Sequence, residues 1–261
     1  MAITIGAIFR YPVKGLSPER LDRVMLRPGE CLAQDRRFAL ALGSTVFDPQ
    51  NPQWLPKTRF AMLMRDEKLA RLQTSFDPET GMLTIAENGR VLLHEPLGEA
   101  EGRRNVGQFY SDFLGPETDR PLRIVEAPGH AFADARRRPN AATGQYVSLI
   151  NRTSIAVLEA AIGGPVDPLR FRANFYFEGA PAWRELGWVD AEIALGAARL
   201  HVVSPITRCA ATQVNPATAE RDLDIVAALE RGFGHINMGV YAEVLEGGEI
   251  ALGDPLHPPD E

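Results

Sequence analysis

Short apolar segments, most of them closed by a glycine or a proline, run the length of this chain and constrain its fold more than any other feature. The 261 residues include 23 Gly and 20 Pro. Both residues favour turns and interrupt regular elements, which leaves room for many short strands and few long helices. A hydrophobic fraction of 45% is sufficient for a globular core. We therefore predict an α+β protein, mainly β with short helices.

Alternating and apolar stretches predict the positions of the strands. Asn88-Gly89 is the strongest hairpin signal in the chain, because both residues tolerate the positive φ of a tight turn. Pro205 has no N–H for a sheet, so we expect it to end the strand that begins at Leu200. The predicted strands are 3–10, 21–27, 59–64, 69–73, 82–86, 90–93, 122–126, 146–150, 169–178, 191–195, 198–203, 240–244 and 248–256.

Helical spacing of apolar residues predicts three helices. We expect Gly115 and Pro116 to stop the first, Asn151 or Thr153 to cap the second, and Asp222 to cap the third. The predicted helices are 99–114, 153–162 and 223–231.

Residues 200–222 carry the most suggestive chemistry. Cys209 is one of only two cysteines in the chain and directly follows Thr207 and Arg208. A cation beside a thiol favours the thiolate, which attacks electrophiles or binds soft metals. An isolated cysteine also often serves only to fill a core. The residues alone leave both interpretations open.

Other candidate site residues lie far apart in the sequence. Lys14 suits a phosphate, and Gly15 permits a sharp turn or a close approach to a ligand. Arg36 is a second candidate cation. Arg172 and Asn174 fall on the polar face of a predicted strand, where a guanidinium and an amide could bind a phosphate and a pterin edge. Each cation could equally be an ordinary surface residue.

Three features leave a functional and a structural interpretation open. Residues 1–75 hold 12 Lys and Arg against seven acids. Arg136, Arg137 and Arg138 form a run that either guards a site for an anionic substrate or is simply solvated. His235 is a candidate proton donor, although a single histidine is often structural.

Composition excludes several classes of protein. A net charge of -6 argues against general nucleic-acid binding. Two cysteines cannot build a disulfide framework and suit a reducing compartment. No stretch of about 18 apolar residues suggests a membrane span. Arg10 and Lys14 come too early for a signal peptide, so we expect a cytoplasmic protein with no membrane partner.

The segment around Cys209 resembles the signature of the MOSC family, the domain found at the C-terminus of molybdenum cofactor sulfurases. Earlier segments match the same family in order, and the layout is similar to that of YcbX-like proteins and amidoxime-reducing components. The matching residues are Pro205-Ile206-Thr207-Arg208-Cys209, Thr212, Asn215-Pro216, Arg221-Asp222, Tyr11-Pro12-Val13-Lys14, Asp35-Arg36 and Phe171-Arg172 with Asn174.

The resemblance implies two domains and a cofactor. It implies an N-terminal MOSC-type β-barrel domain over residues 1–116, packed on a MOSC β-barrel over residues 117–261. The implied cofactor is the molybdenum cofactor, a phosphorylated pterin dithiolene that holds molybdenum. Cys209 would be the protein ligand of the metal, and Cys209 and Thr207 the catalytic residues. The residues implied to hold the cofactor are Lys14, Gly15, Arg36, Arg172, Asn174, Thr207 and Arg208.

The resemblance also implies an activity. We expect a molybdenum-dependent oxidoreductase, independent of pyridoxal phosphate, that reduces small N-hydroxylated or related N–O or S–O compounds. Electrons would come from a separate partner, a ferredoxin or a flavoprotein reductase. One alternative is a molybdenum cofactor carrier or sulfur-handling protein without turnover. Another is a metal-free protein in which Cys209 is a nucleophilic thiol.

Overall fold

Strands dominate the computed structural model of the protein, which describes residues 2–142 and 144–259. Within those residues the fold has fifteen strands and three α-helices, which confirms the predicted, mainly β, α+β class. The helices are α1 (Ala100–Leu114), α2 (Arg152–Ile162) and α3 (Ile225–Phe233). The strands are β1 (Thr4–Arg10), β2 (Glu19–Leu21), β3 (Arg23–Leu26), β4 (Phe38–Ala41), β5 (Gln73–Phe76), β6 (Met82–Glu87), β7 (Arg90–Pro96), β8 (Arg123–Glu126), β9 (Val147–Asn151), β10 (Phe175–Glu178), β11 (Glu192–Leu195), β12 (Ala198–Thr207), β13 (Asn237–Glu246), β14 (Gly248–Ala251) and β15 (Leu256–His257).

An eight-stranded mixed sheet organises the molecule. Its strand order is β15-β11-β12-β13-β9-β10-β1-β2. β9 and β10 are parallel and are connected through α2, whereas β1 pairs antiparallel with β10. The first two strands, β1 and β2, therefore belong to the same sheet as strands from the C-terminal half. This arrangement brings the loop after β1 close to the loop after β12.

Three smaller sheets complete the fold. β3 pairs with β14, β4 pairs with β8, and β5, β6 and β7 form a meander. Asn88 and Gly89 both have positive φ in the β6–β7 turn, which confirms the hairpin predicted there. The domain boundary predicted between residues 116 and 117 stays a prediction.

Two large apolar clusters form most of the core. One lies on the main sheet and includes Phe175, Phe177 and Trp188. The other packs α1 against the N-terminal strands through Val106 and Tyr110, which are fully buried. Burial of such side chains is the main favourable term in folding. In the part of the chain that the structure describes, no helix has the length and hydropathy that a membrane crossing requires.

The prediction that Pro205 ends its strand was wrong. β12 continues to Thr207, and Pro205 lies opposite Val240 of β13. The pairing shifts register on both sides of the proline, between Val202 and Ser204 and again before Thr207. A bulge tolerates the missing N–H, because its ladder is already interrupted.

The strand predicted for residues 169–178 was wrong in its first half. Pro168–Phe171 form a 3-10 turn capped by Asp167, whose side chain accepts a hydrogen bond of 2.8 Å from the Leu169 N–H. Arg172 then adopts a left-handed conformation with φ 53°, and only β10 is extended. The alternation of polar and apolar residues was real, but proline and the aspartate cap favoured a turn.

Several other boundaries differ from the sequence prediction. α3 is capped by Asp224 instead of Asp222, because Asp222 is bound to Arg170 at 2.6 Å. The segment 248–256 divides between β14 and β15. One 3-10 turn ends at Arg59 and leaves only a single β-bridge, Phe60 to Ala41, in the strand predicted at 59–64, and a second replaces most of the strand predicted at 69–73. The turns are Lys57–Arg59 and Glu67–Arg71.

Candidate functional site

A cavity of about 620 Å³ lies between residues 14–64 and residues 131–241. This volume is within the range of small-molecule and cofactor sites. The structure brings every predicted site residue to this one cavity. The predicted residues that line it are Lys14, Gly15, Arg36, Arg172, Asn174, Thr207, Arg208 and Cys209.

Cys209 lies where β12 has ended and a 3-10 turn, Ala210–Gln213, begins. Its carbonyl oxygen accepts hydrogen bonds from the N–H of Thr212 at 3.0 Å and from the Thr212 hydroxyl at 2.9 Å. Its sulfur accepts a hydrogen bond of 3.1 Å from Lys57 Nζ. The backbone of the cysteine is therefore held by its own turn, and its thiol faces a cation from the other half of the chain.

An ion pair between buried Arg170 and exposed Asp222 braces the cysteine turn from behind. Arg170 is 5% exposed, and its guanidinium donates to the carbonyls of Thr212 and Gln213 and to the Asp222 carboxylate. Asn215 donates to the other oxygen of Asp222 at 2.7 Å. Thr212, Asn215 and Asp222 of the sequence signature thus support the turn.

Arg221 ties the same turn to the N-terminal half. Its guanidinium donates to the Ala210 carbonyl at 3.1 Å and to the Met64 carbonyl at 2.9 Å, and it pairs with Glu67. Arg221 therefore links the segment after Cys209 to the cavity wall that the N-terminal half contributes.

Lys14 is buried on the opposite side of the cavity, with 8% of its surface exposed. Its ammonium donates to the Phe132 carbonyl at 2.9 Å and forms an ion pair with Asp134. Burial lowers the pKa of Lys14, and the Asp134 carboxylate only partly opposes that effect. Gly15 has φ +80°, and a Cβ there would lie 3.2 Å from the Ala61 carbonyl oxygen. Glycine is therefore needed for both conformation and space.

Tyr11 organises two of the predicted arginines. Its ring is completely buried, and the guanidinium carbons of Arg36 and Arg172 lie 4.4 and 4.3 Å from the ring centroid. Arg36 also donates to the Arg172 carbonyl at 2.7 Å. Cation–π contacts to a buried ring hold both charges in place. We call Lys14, Arg36 and Arg172 the inner cradle.

The backbone of the inner cradle is strained. Arg36 and Arg172 have φ of 49° and 53°, in the left-handed region that non-glycine residues rarely adopt. Such conformations cost on the order of 1–3 kcal/mol each and cluster at functional sites. The fold therefore maintains these two arginines at an energetic cost.

The two arginines of the inner cradle differ in their partners. Arg36 forms an ion pair with Asp35, whose carboxylate also accepts from the Tyr11 N–H at 2.7 Å. Burial alone would lower the pKa of Arg36, but Asp35 outweighs it and raises that pKa. Burial lowers the pKa of Arg172 to about 10. Within residues 2–142 and 144–259, Arg172 Nη2 is buried and has no hydrogen-bond partner.

Asn174 and Arg208 line the cavity, but their polar atoms are used within the fold. The Asn174 oxygen accepts from the N–H and the hydroxyl of Ser148, and its nitrogen donates to the Phe9 carbonyl. Arg208 donates to the carbonyls of Phe171 and Met238, and burial lowers its pKa. Their roles toward a cofactor stay predictions.

Thr207 and His235 occupy different positions relative to the site. Thr207 lines the cavity and donates from its hydroxyl to Asn237 Oδ1 at 3.2 Å. His235 is not among the cavity-lining residues; it packs against Trp183 and Phe233. Its Nδ1 accepts a hydrogen bond from the Asn237 N–H at 3.3 Å.

Sequence reasoning missed several residues of this site. Lys57 was assigned only to a proline-rich loop, although it is one of three lysines in the chain. Trp54 precedes it in that loop and lines the cavity with it. Tyr11 and Asp134 were missed because their significance depends on contacts with residues distant in the sequence. The one available signal was the scarcity of lysine.

Lys57, Arg136 and Arg138 form a second group of cations, which we call the mouth cluster. All three line the cavity, and both arginines are exposed. Among the described residues, the cavity lining carries eight Lys and Arg side chains and two carboxylates, Asp35 and Asp134. The site is therefore strongly positive in a protein whose net charge is -6.

Comparison with protein families identifies the MOSC domain. Residues 131–257 match the family model of the MOSC domain. A molybdenum cofactor sulfurase of Caenorhabditis briggsae is 24% identical over 249 residues, which is 91% of this chain and 33% of that protein. The human molybdenum cofactor sulfurase is 23% identical over 218 residues, 68% of this chain and 24% of that protein. The chain spans about a quarter to a third of the length of the curated relatives it matches.

Solved structures show weaker likeness. The YUAD protein from Bacillus subtilis has a TM-score of 0.45 at 10% identity, covering 98% of this chain and 94% of that chain. YiiM from Geobacillus stearothermophilus has a TM-score of 0.34 at 22% identity, covering 44% and 54%.

Proposed function

We propose, on the premise that residues 131–257 match the MOSC domain, that the chain binds a molybdenum–pterin cofactor and reduces small N-hydroxylated or related N–O and S–O compounds. One observation carries the proposal. Cys209 shares a cavity with the inner cradle, although these residues come from four distant segments of the chain. A single thiol opposite several fixed cations suits a soft metal carried by a phosphorylated ligand.

The residues present fit such a cofactor. The buried Arg172 Nη2 has no hydrogen-bond partner within the described residues, and a phosphate oxygen would supply one. The Asp134 side chain is 51% exposed, so this carboxylate is able to release Lys14 to a phosphate without leaving a buried charge behind. Gly15 lines the cavity without a side chain, and a Cβ at this position would crowd the Ala61 carbonyl oxygen.

Each residue then has a role of its own. The bound cofactor would supply a two-electron redox centre that accepts an oxygen atom. Cys209 would be its protein ligand, and the hydrogen bond from the Thr212 hydroxyl to the Cys209 carbonyl would hold that ligand in position. Lys14, Arg36 and Arg172 would bind the phosphate, and Tyr11 would keep two of these cations in place. Thr207 would orient the cysteine or the oxygen-bearing end of the substrate.

The proposed reaction requires a reductant. Conversion of a hydroxylamine to an amine breaks one N–O bond, consumes two electrons and two protons, and releases water. The electrons would come from a separate ferredoxin or flavoprotein reductase, and the protons from solvent at the exposed mouth. The inner cradle lies deeper, because Tyr11 and Lys14 are buried whereas Arg136 is exposed.

A second candidate function is transfer or delivery of the cofactor or its sulfur without turnover. The names of the curated relatives, molybdenum cofactor sulfurases, favour this reading. The same cavity and thiol would serve it: the Cys209 thiolate would take the outer sulfur of a donor persulfide, release the donor as a thiolate and hold the sulfur as its own persulfide.

Metal analysis and turnover together separate these functions. The protein is produced in a host that synthesises the cofactor, its molybdenum content is measured, and benzamidoxime is supplied with a chemically reduced viologen. Bound molybdenum with turnover supports the reductase. Bound molybdenum without turnover supports the carrier, and absence of molybdenum contradicts both.

A further inference from the structure

We propose that Trp54, Lys57 and Arg136 form an anion-binding subsite at the mouth of the cavity, which selects substrates that carry an acidic group. The term substrate rests on the proposed function, but binding of an anion at this place does not. The subsite would take the carboxylate, sulfonate or phosphate of a small molecule whose reducible end lies beside Cys209.

Lys57 places a positive charge next to the reactive end of the cavity. Its ammonium lies 3.1 Å from the Cys209 sulfur. No carboxylate lies within 4.0 Å of this ammonium in the part of the chain that the structure describes, and its neighbour Asp134 is paired with Lys14. Lys57 therefore has donors available for an entering anion.

Arg136 is held by an aromatic side chain and not by an acid. Its guanidinium carbon lies 3.9 Å from the centre of a Trp54 ring, a stacking distance at which the face of tryptophan attracts the cation. Among residues 2–142 and 144–259, Arg136 forms no ion pair. Stacking restricts the guanidinium while leaving its donors open to a bidentate anion.

Trp54 connects the two cations. It lies three residues before Lys57 in the same loop and lines the same cavity. Its Nε1 is shielded from solvent and has no hydrogen-bond partner among the described residues. A cavity wall that holds a stacked arginine and a lysine, both with donors available, suits a ligand with several acceptor oxygens.

The inner cradle and this subsite have different occupants. The cations that would hold the cofactor are buried or are stacked on buried Tyr11. Arg136 is exposed and belongs to the loop before β9. A phosphate bound to the inner cradle would leave the positive charge at the mouth uncompensated, and the next molecule to enter would meet it.

Fluorine NMR binding tests the subsite independently of turnover. The probes are 4-fluorobenzoate and its neutral isostere 4-fluorobenzamide, titrated into the purified protein, whose molybdenum content is measured in the same preparation. We expect tighter binding of the benzoate. We expect Lys57→Met and Arg136→Met each to weaken it by about tenfold, the usual effect of losing a charged hydrogen bond. Lys57→Arg keeps the charge and should largely restore binding.

Arg137→Met is the matched control. It removes the same charge from the neighbouring position, but Arg137 donates to the Ala141 carbonyl and does not line the cavity. Benzoate binding should be unchanged in this variant. A thermal melt of each variant verifies folding.

Three results would overturn the proposal. The first is equal binding of benzoate and benzamide to the unmodified protein. The second is an equal loss in Arg137→Met, which would indicate a general surface field. The third is a loss of molybdenum in Lys57→Met and Arg136→Met, which would assign both residues to the cofactor. If benzoate binds as expected but no N–O compound is reduced, the subsite stands and the reductase function fails.

Turnover adds a second measurement where the reductase is active. For 4-carboxybenzamidoxime against benzamidoxime, we expect Arg136→Met to lower the ratio of the two kcat/KM values by about tenfold. An unchanged ratio would contradict selection by this residue.

Discussion

The inner cradle and the mouth cluster are both cationic, but the fold treats them in opposite ways. Arg36 and Arg172 have left-handed backbones and lie over the buried ring of Tyr11. The mouth residues Arg136 and Arg138 are exposed, and neither forms an ion pair with another described residue. Strain and burial are tolerated where a charge must be fixed, whereas exposed charges are adaptable. The contrast suggests one permanent and one exchanging ligand.

The largest expected effect is at Cys209, which shares the cavity with both groups of cations. Cys209→Ala removes the proposed metal ligand, so molybdenum retention should be lost. Metal analysis of the purified variant measures its molybdenum content. Cys31→Ala is the control: Cys31 also lines the cavity, but burial raises the pKa of its thiol to about 12. Retained molybdenum in Cys209→Ala would contradict the ligand assignment.

Arg172→Met tests whether the inner cradle exists for a ligand. Removing a donor to a phosphate should weaken cofactor retention by about tenfold or more. Without cofactor the variant should be as stable as the parent or more stable, because the buried Nη2 lacks a hydrogen-bond partner within the described residues. Pterin content and chemical denaturation measure the two effects. A large loss of stability without cofactor would show that Arg172 is structural. Arg199→Met, at an exposed position, is the control.

Two substitutions of Tyr11 test whether the face of its ring holds the two arginines of the inner cradle in place. Tyr11→Leu removes a fully buried ring and two cation–π contacts, so the free energy of unfolding should fall by about 2–4 kcal/mol. Tyr11→Phe keeps the ring and should retain most of the cofactor. Urea denaturation and molybdenum content are the measurements. Equal loss in both variants would refute the role of the ring face.

The smallest expected effect is a dependence of stability on acid pH at Asp134. Burial would raise the pKa of Asp134, but the Lys14 ammonium outweighs it and holds that pKa below its usual 3.8. The unfolded chain therefore takes up this proton at higher pH than the folded chain. The stabilisation is present in full above the unfolded pKa and is lost as pH falls through the folded pKa.

Denaturation of the parent and of Asp134→Asn measures that contribution. Because the Asp134 side chain is 51% exposed, the difference near neutral pH should be under about 1 kcal/mol. It should shrink below about pH 4, where the carboxyl becomes protonated. A difference that grows toward acid pH would contradict the assignment.

Local chemistry was enough to predict the elements whose signals lie within a few residues. Asn88-Gly89 predicted its hairpin because both turn residues need positive φ. Asn151 predicted the start of α2, and its side chain accepts the Thr153 N–H at 3.0 Å. Pro205 and Asp222 were misjudged because a bulge and a buried arginine override their local preferences.

The predicted site residues came from the order of motifs along the chain, and the structure places all of them on one cavity. The motifs did not reveal which polar atoms are available. Asn174 has its amide satisfied by Ser148 and Phe9, whereas Arg172 keeps an unpartnered nitrogen among the described residues. Hydrogen-bond satisfaction depends on distant neighbours, so no local pattern reports it.

The sequence by itself determined the mainly β class, the turns, and the order of the cysteine and the cationic motifs, because propensity and resemblance are properties of short segments. Only the tertiary structure decided that β1 enters the C-terminal sheet and that Lys57 reaches the Cys209 sulfur across 152 residues of chain. Those contacts depend on how strands pair over long separations. That pairing is decided by the packing of the whole chain and not by the residues of either strand alone.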